Sequence, residues 1–365
     1  LAEVGVRIDS RAGVVVLAVV LVGSLVAVGL LVVRPWLSSS RMEQAVEVLP
    51  ASVLRVSWTD WSQVRAAAEG ESLDADSSPE EVRAFLDRAF DQDLVGASAL
   101  STTFPALAAA FGVTPFEAEW EVYGQAREGS AALLKLDEDV DLEALEERFE
   151  ELGYEAPADG PGVGGTWVGT PELVVSQDER LDLLQENLAV LPDERLFVMS
   201  DDPGFVDTAV AAVEGDEERL DSVDGLGNLV AELSEPVTAT VWVDDFACED
   251  LTMSQAARDD VETGRNLVEA AGGVHPLDGL AFAQQADGSL EFVMGFETEE
   301  QAGADLQPRT DLAAGPAPGQ GGAFTDRFEL TSSTAQGALV SMRAQPVGGQ
   351  VLADLGQGPI LFATC

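Results

Sequence analysis

The sequence predicts an α+β protein: a membrane-spanning helix followed by an exported region in which each of two copies is a mostly antiparallel sheet with helices on one face. Three observations lead there. The run "GVVVLAVVLVGSLVAVGLLVV" from Gly13 to Val33 carries no charge and matches the ~20 residues needed to cross ~30 Å of hydrocarbon. Blocks of strand and helix pattern recur in the same order along the chain, which is the signature of a repeat. The helices also carry their own start and stop residues.

In chain order, residues 1–12 form a cytoplasmic tail, 13–33 the span and 34–50 a linker. The apolar region of a cleaved signal peptide is usually ~7–15 residues, so the longer run is expected to stay as an anchor even though "LSSSR" follows it. Arg7 and Arg11 before the span are balanced by Arg34 and Arg41 after it, so charge leaves the orientation open. The short tail, the acidity of the following region and its possession of both cysteines place the N-terminus in the cytoplasm and the remainder outside the membrane.

The first repeat spans 51–235 and the second 236–365, divided near "LSEPVT". "VSWTDW" from Val56 aligns with "VWVDDF" from Val241. "YGQAREGSAALLKLDEDVDLEAL" aligns with "FAQQADGSLEFVMGFETEEQAGADL", each reading as two strands joined at Gly129-Ser130 or Gly288-Ser289 and followed by a helix. "LFVMSDDPGFVDTAVAAV" aligns with "LVSMRAQPVGGQVLADL", a strand meeting a proline and then helical spacing.

Helix signals are local. "SPEEVRAFLDRAF" offers Ser78 as N-cap, Pro79 at the first helical position and Glu81 to complete a capping box, with Val82, Phe85, Leu86 and Ala89 on one face. "DLEALEERFEELG" buries Leu142, Leu145, Phe149 and Leu152 and stops at Gly153. Asp202-Pro203 opens another helix that Gly215 ends, and Thr298 with Gln301 repeats the capping spacing.

Composition excludes several functions. The formal charge is −47, with Lys135 the single lysine among 19 basic residues, a surface that repels nucleic acid and anionic lipid. Gly160, Gly162 and Gly165 spell G-x-G-x-x-G, but a helix precedes them and strand-like "TWVGT" follows, the reverse of a dinucleotide site. His275 is the one histidine; Asp278 lies close, yet no serine sits in a nucleophile elbow. One His and two distant Cys cannot make a zinc site. The stretches at Asp74 and Asp137 lack the glycine and glutamate of an EF-hand. No cofactor is expected.

Asp60-Trp61 and Asp245-Phe246 occupy equivalent places in the two copies. Paired carboxylates there would suit acid-base or cation chemistry, whereas helix capping suits Asp60 because Gln63 stands at capping distance. Cys248 and Cys365 are the only cysteines, so an exported chain is expected to join them. That bond would staple "PILFA", expected as a last strand, beside the first strand of the second copy.

The plan of short tail, single span and "LPASVLRVSWTDW" opening an acidic duplicated region resembles the uncharacterised single-pass exported proteins of high-GC Gram-positive bacteria. The resemblance implies a location in the cell membrane and no substrate. The expected function is a membrane-anchored, non-catalytic envelope protein, held by residues 13–33, whose exported region binds a protein or cell-wall partner. The alternative is a carboxylate-based hydrolase or ligand-binding enzyme with its site between the repeats.

Overall fold

Continuity of the apolar runs decides how the sheet is covered. The computed structural model describes residues 40–365 apart from 159, 163 and 357. The expected tail, the span at 13–33 and the linker up to residue 39 lie outside them. Among the described residues no helix is long and apolar enough to cross a membrane.

Strands β1 (Arg55–Thr59), β2 (Ala118–Gln125), β3 (Ser130–Leu136), β4 (Trp167–Val168), β5 (Asn187–Leu191) and β6 (Leu196–Ser200) come from the first half. Strands β7 (Thr238–Val243), β8 (Gly279–Gln284), β9 (Leu290–Gly295), β10 (Phe328–Gln336) and β11 (Leu339–Pro346) come from the second. They form one 11-stranded sheet in the order β10-β11-β9-β8-β7-β1-β2-β3-β6-β5-β4, and every pairing is antiparallel. The expected halves therefore do not build separate sheets. β1 pairs with β7, Val56 opposite Val241 and Ser57 opposite Thr240. Outward from this seam the order is β2, β3, β6, β5 on one side and β8, β9, β11, β10 on the other.

The helices are α1 (Arg41–Val46), α2 (Trp61–Ala67), α3 (Pro79–Asp91), α4 (Phe104–Phe111), α5 (Leu142–Leu152), α6 (Pro171–Gln177), α7 (Pro203–Glu214), α8 (Leu226–Glu232), α9 (Phe246–Asp250), α10 (Arg258–Ala271), α11 (Glu299–Ala313) and α12 (Val351–Leu355). They cover both faces, not one. The reason lies in strands such as "NLAVL", "LFVMS" and "GLAFAQ", which are buried at every position. A continuous apolar run needs cover on both sides.

On one face a single core runs across the seam, uniting Val56, Trp58, Val122, Val241 and Ala281 with residues of α1, α7 and α8. Residues 41–50, expected as linker, belong to it: Met42, Ala45, Val46 and Leu49 are buried, at the spacing of one helical stripe. On the other face the core is split. One cluster holds Phe85, Phe104, Phe149 and Phe197 under α2 to α6; the other holds Trp242, Phe282, Phe292 and Phe362 under α9, α11 and α12. Phe149 stacks on Phe197 at 5.6 Å and meets Trp167 edge-on at 5.7 Å, pairs worth about 0.5–1.5 kcal/mol each beyond their burial.

The local helix signals act as expected. Ser78 accepts from Glu81 N, Glu81 completes the box, and Val82, Phe85, Leu86 and Ala89 are buried. Asp141 and Asp202 cap α5 and α7, and the left-handed Gly153 and Gly215 end them. "PILFA" is a correction: residues Leu361–Ala363 form a 3-10 turn buried in the second-half cluster, not a strand.

Candidate functional site: a polar pocket on the seam

The seam strands alternate polar with apolar residues, whereas β5, β6 and β8 are buried at every position. Val56, Trp58, Val122, Ala239 and Val241 face the continuous core, so the period of two turns Arg55, Ser57, Tyr123, Gln125 and Thr240 toward the opposite face. There the apolar cover is interrupted between the two clusters. The gap is a cavity of about 230 Å³ with Arg55, Ser57, Tyr123, Gln125, Thr240 and Trp242 among its lining.

Two carboxylates fix its walls. Glu121, 1% exposed, accepts from Ser98 Oγ at 2.7 Å, Ala99 N at 2.7 Å, Leu100 N at 3.2 Å and Trp61 Nε1 at 3.1 Å. It thereby ties the 96–100 loop to the sheet. Asp93 accepts from Leu352 N at 2.6 Å and Ala353 N at 3.4 Å, capping α12 from the other half of the chain. Burial pushes both acids up to about 6 against these hydrogen bonds, because loss of water penalises the charged form more than the donors favour it. Gly96 lets the walls approach: a Cβ there would lie 2.8 Å from Asp93 Oδ1 and 3.4 Å from Ala353 Cβ.

Among the described residues Arg55 is the one charged residue lining the cavity, and its side chain is 26% exposed. Its guanidinium lies 5.2 Å from the Trp242 ring centroid, donates from NH2 to Gly356 O at 3.3 Å and stands 3.6 Å from Asp250 Oδ2. Its buried Nε has no partner among the described residues. A buried donor left unpaired costs about 1–3 kcal/mol. Burial also raises the Tyr123 phenol.

Asp60 and Asp245 are not brought together. β1 and β7 run antiparallel, so their C-terminal ends lie at opposite ends of the seam. Asp60 N donates to Val237 O and Val243 N to Leu54 O, which places the two residues roughly 20 Å or more apart along the strands. Asp60 is 2% exposed and caps α2, accepting from Gln63 N at 2.9 Å, Ser62 Oγ at 2.6 Å and Arg41 at 3.3 Å. Asp245 is exposed and makes no side-chain cap on α9. Trp61 is fully buried, whereas Phe246 is only partly so and lies under Arg127.

Cys248 and Cys365 form a disulfide with a Cα separation of 5.5 Å, inside the range such a bond requires. It joins α9 to the end of the chain. Beside it is a network that local sequence patterns do not reveal. His275 Nδ1 lies 2.5 Å from Asp305 Oδ1, and Asp305 Oδ2 accepts from Arg309 Nε at 2.9 Å. Arg309, fully buried, donates to Phe362 O and Thr364 O at 2.8 Å each. Burial lowers the Arg309 pKa against the attraction of Asp305. The partner of His275 is thus Asp305, not Asp278, and the i, i+4 spacing of Asp305 and Arg309 was the one available signal.

No family model and no curated protein matches the chain. Among solved structures it is similar to two crystal forms of TP0453, titled "Structure of crystal form I of TP0453" and "Structure of crystal form III of TP0453". The first is 6% identical with a TM-score of 0.39, covering 85% of this chain and 95% of that one. The second is 5% identical with a TM-score of 0.40, covering 85% and 96%. Similarity at that level carries no argument about what this chain does.

Proposed function

We propose that the chain is a membrane-anchored extracytoplasmic protein that works by association with a protein or cell-wall partner and not by turnover. The observation that carries this is the division of labour at the seam. Glu121 and Asp93 are occupied with backbone donors of the walls, and Asp60 is occupied with its helix cap, while among the described residues the Ser57, Gln125 and Thr240 side chains line the cavity with no hydrogen bond to the protein. Acids so engaged hold structure; free polar groups in a pocket suit a ligand.

The location belongs to the same proposal. Residues 13–33 anchor the chain with its N-terminus in the cytoplasm, and the Cys248–Cys365 bond is in keeping with an oxidising compartment. The internal duplication is supported by the matching strand order on either side of the seam and by the aligned Val56 and Val241 standing opposite each other.

The test is sedimentation of the full-length, detergent-solubilised chain with purified cell-wall material, alongside cross-linking of membrane partners. Stoichiometric association with the bound material chemically unchanged is the expected result. Steady turnover of an envelope substrate that requires Asp60 or Asp245 would overturn it in favour of the hydrolase.

A further inference from the structure

The seam pocket has a chemical character that selects a class of ligand. Its one lining charge, Arg55, is already faced by Asp250 at 3.6 Å, so the guanidinium edge that remains is a hydrogen-bond donor and not an unmatched cation. A carboxylate or phosphate placed there would share the guanidinium with Asp250 and meet the repulsion of a chain whose formal charge is −47. A cationic ligand would find no free acid, because Glu121 and Asp93 are turned into the walls.

What the pocket does present is neutral and two-way. Among the described residues the Ser57, Gln125 and Thr240 side chains make no hydrogen bond to the protein, and all three line the cavity. Hydroxyl and amide groups both donate and accept, which suits a partner whose hydroxyls do the same. Aromatic Tyr123 and Phe282 supply apolar lining beside them. The volume of about 230 Å³ lies below the ~300–1,000 Å³ of sites for larger ligands, which sets the scale at one ring.

From these features we propose that the seam pocket binds a single ring of a neutral saccharide, with the ring hydroxyls exchanging hydrogen bonds with Ser57, Gln125 and Thr240. This rests on the binding function proposed above and gives its cell-wall partner a chemistry. Polar complementarity then decides selection, since a ligand that covers Ser57, Gln125 or Thr240 and leaves the group unpaired forfeits the gain of pairing it.

Three soluble probes with similar rings and different charges test it: N-acetylglucosamine, glucosamine and glucuronate, each titrated at millimolar concentration against the full-length chain in detergent. Ligand-observed NMR and the shift in melting temperature are the readouts. N-acetylglucosamine is expected to bind, with glucosamine and glucuronate at least about tenfold weaker, a difference of about 1.4 kcal/mol. Ser57→Ala and the near-isosteric Thr240→Val should each weaken the neutral probe about tenfold, about the cost of losing one hydrogen bond. Ser57→Ala, read in the same way, keeps the test sound if Thr240→Val fails to fold. Absence of binding by all three probes overturns the proposal, as does preference for glucuronate or glucosamine, or unchanged binding in Thr240→Val. If the probes fail while the chain still sediments with cell-wall material, the ligand class is wrong and the binding function stands. Recovery of chemically altered N-acetylglucosamine would remove the binding function itself.

Discussion

Acidification should stabilise this protein, and the walls of the seam pocket account for much of the effect. Glu121 is raised from 4.5 to about 6 and Asp93 from 3.8 to about 6, each first by burial. Both acids therefore bind more protons folded than unfolded between roughly pH 4 and 6, and stability falls as pH rises through that window. The contribution is fully present below the unfolded pKa values and gone above about 6. Each pKa unit is worth about 1.36 kcal/mol, so the full windows correspond to about 2 kcal/mol for Glu121 and about 3 kcal/mol for Asp93. Between pH 7 and pH 5 each group should contribute about 1 kcal/mol. Urea unfolding of the full-length chain in detergent at pH 7, 6 and 5 measures it. The double variant Glu121→Gln, Asp93→Asn is expected to be less stable at every pH, because an amide NH₂ meets the Trp61 N–H and wall donors. Its pH slope should be shallower by about 2–3 kcal/mol over the same interval. A double variant with the wild-type slope would refute the assignment.

Replacing Cys248 or Cys365 by Ser should lower stability by up to about 4–5 kcal/mol on the chain-entropy model, given a sequence separation of 117; non-reducing peptide mapping should recover the joined fragment, and two freely alkylated thiols would refute it. Arg309→Met removes the cation that holds Asp305, Phe362 O and Thr364 O, and should cost about 3–5 kcal/mol because a buried carboxylate is left unmatched. Thermal unfolding checks this, and the additional substitution Asp305→Leu should recover part of the loss. Protease added to cells with a permeable wall and an intact membrane should digest residues 42–365, and full protection would refute the proposed orientation.

Features set by neighbours in sequence were legible, and features set by distant pairing were not. The Ser78–Glu81 box, the Asp141 cap and the stop at Gly153 depend on a few consecutive residues. The cysteine pair was legible because two thiols allow one internal bond. The stripe of Met42, Ala45, Val46 and Leu49 was equally local, but its proximity to the expected span favoured a linker. "PILFA" misled because a short apolar run does not distinguish a strand from a buried turn. In the His275–Asp305–Arg309 network the Asp305–Arg309 pair is local, but the links to His275 and to Phe362 join α11 to a loop and to the end of the chain, contacts that no window of sequence contains.

The seam pocket draws on residues near positions 55, 98, 123, 240 and 353, so its assembly waits on the pairing of β1 with β7. Its chemistry was nonetheless written in the strands. "RVSWT" and "TATVWV" alternate polar with apolar, whereas "NLAVL", "LFVMS" and "GLAFAQ" are buried at every position, and that contrast marks where the cover on one face must open. Under the proposed duplication, the alignment of Val56 with Val241 also makes Arg55 the counterpart of Thr240 and Ser57 the counterpart of Trp242. The register places Arg55 opposite Trp242 and Ser57 opposite Thr240. On that proposal two identical halves would have met with the same side chains on each side of the seam, and divergence at these four positions would account for a stacked guanidinium at one end of the pocket floor and two hydroxyls beside it. An oriented site thus arises from a near-symmetric frame, and its polarity belongs to neither half alone.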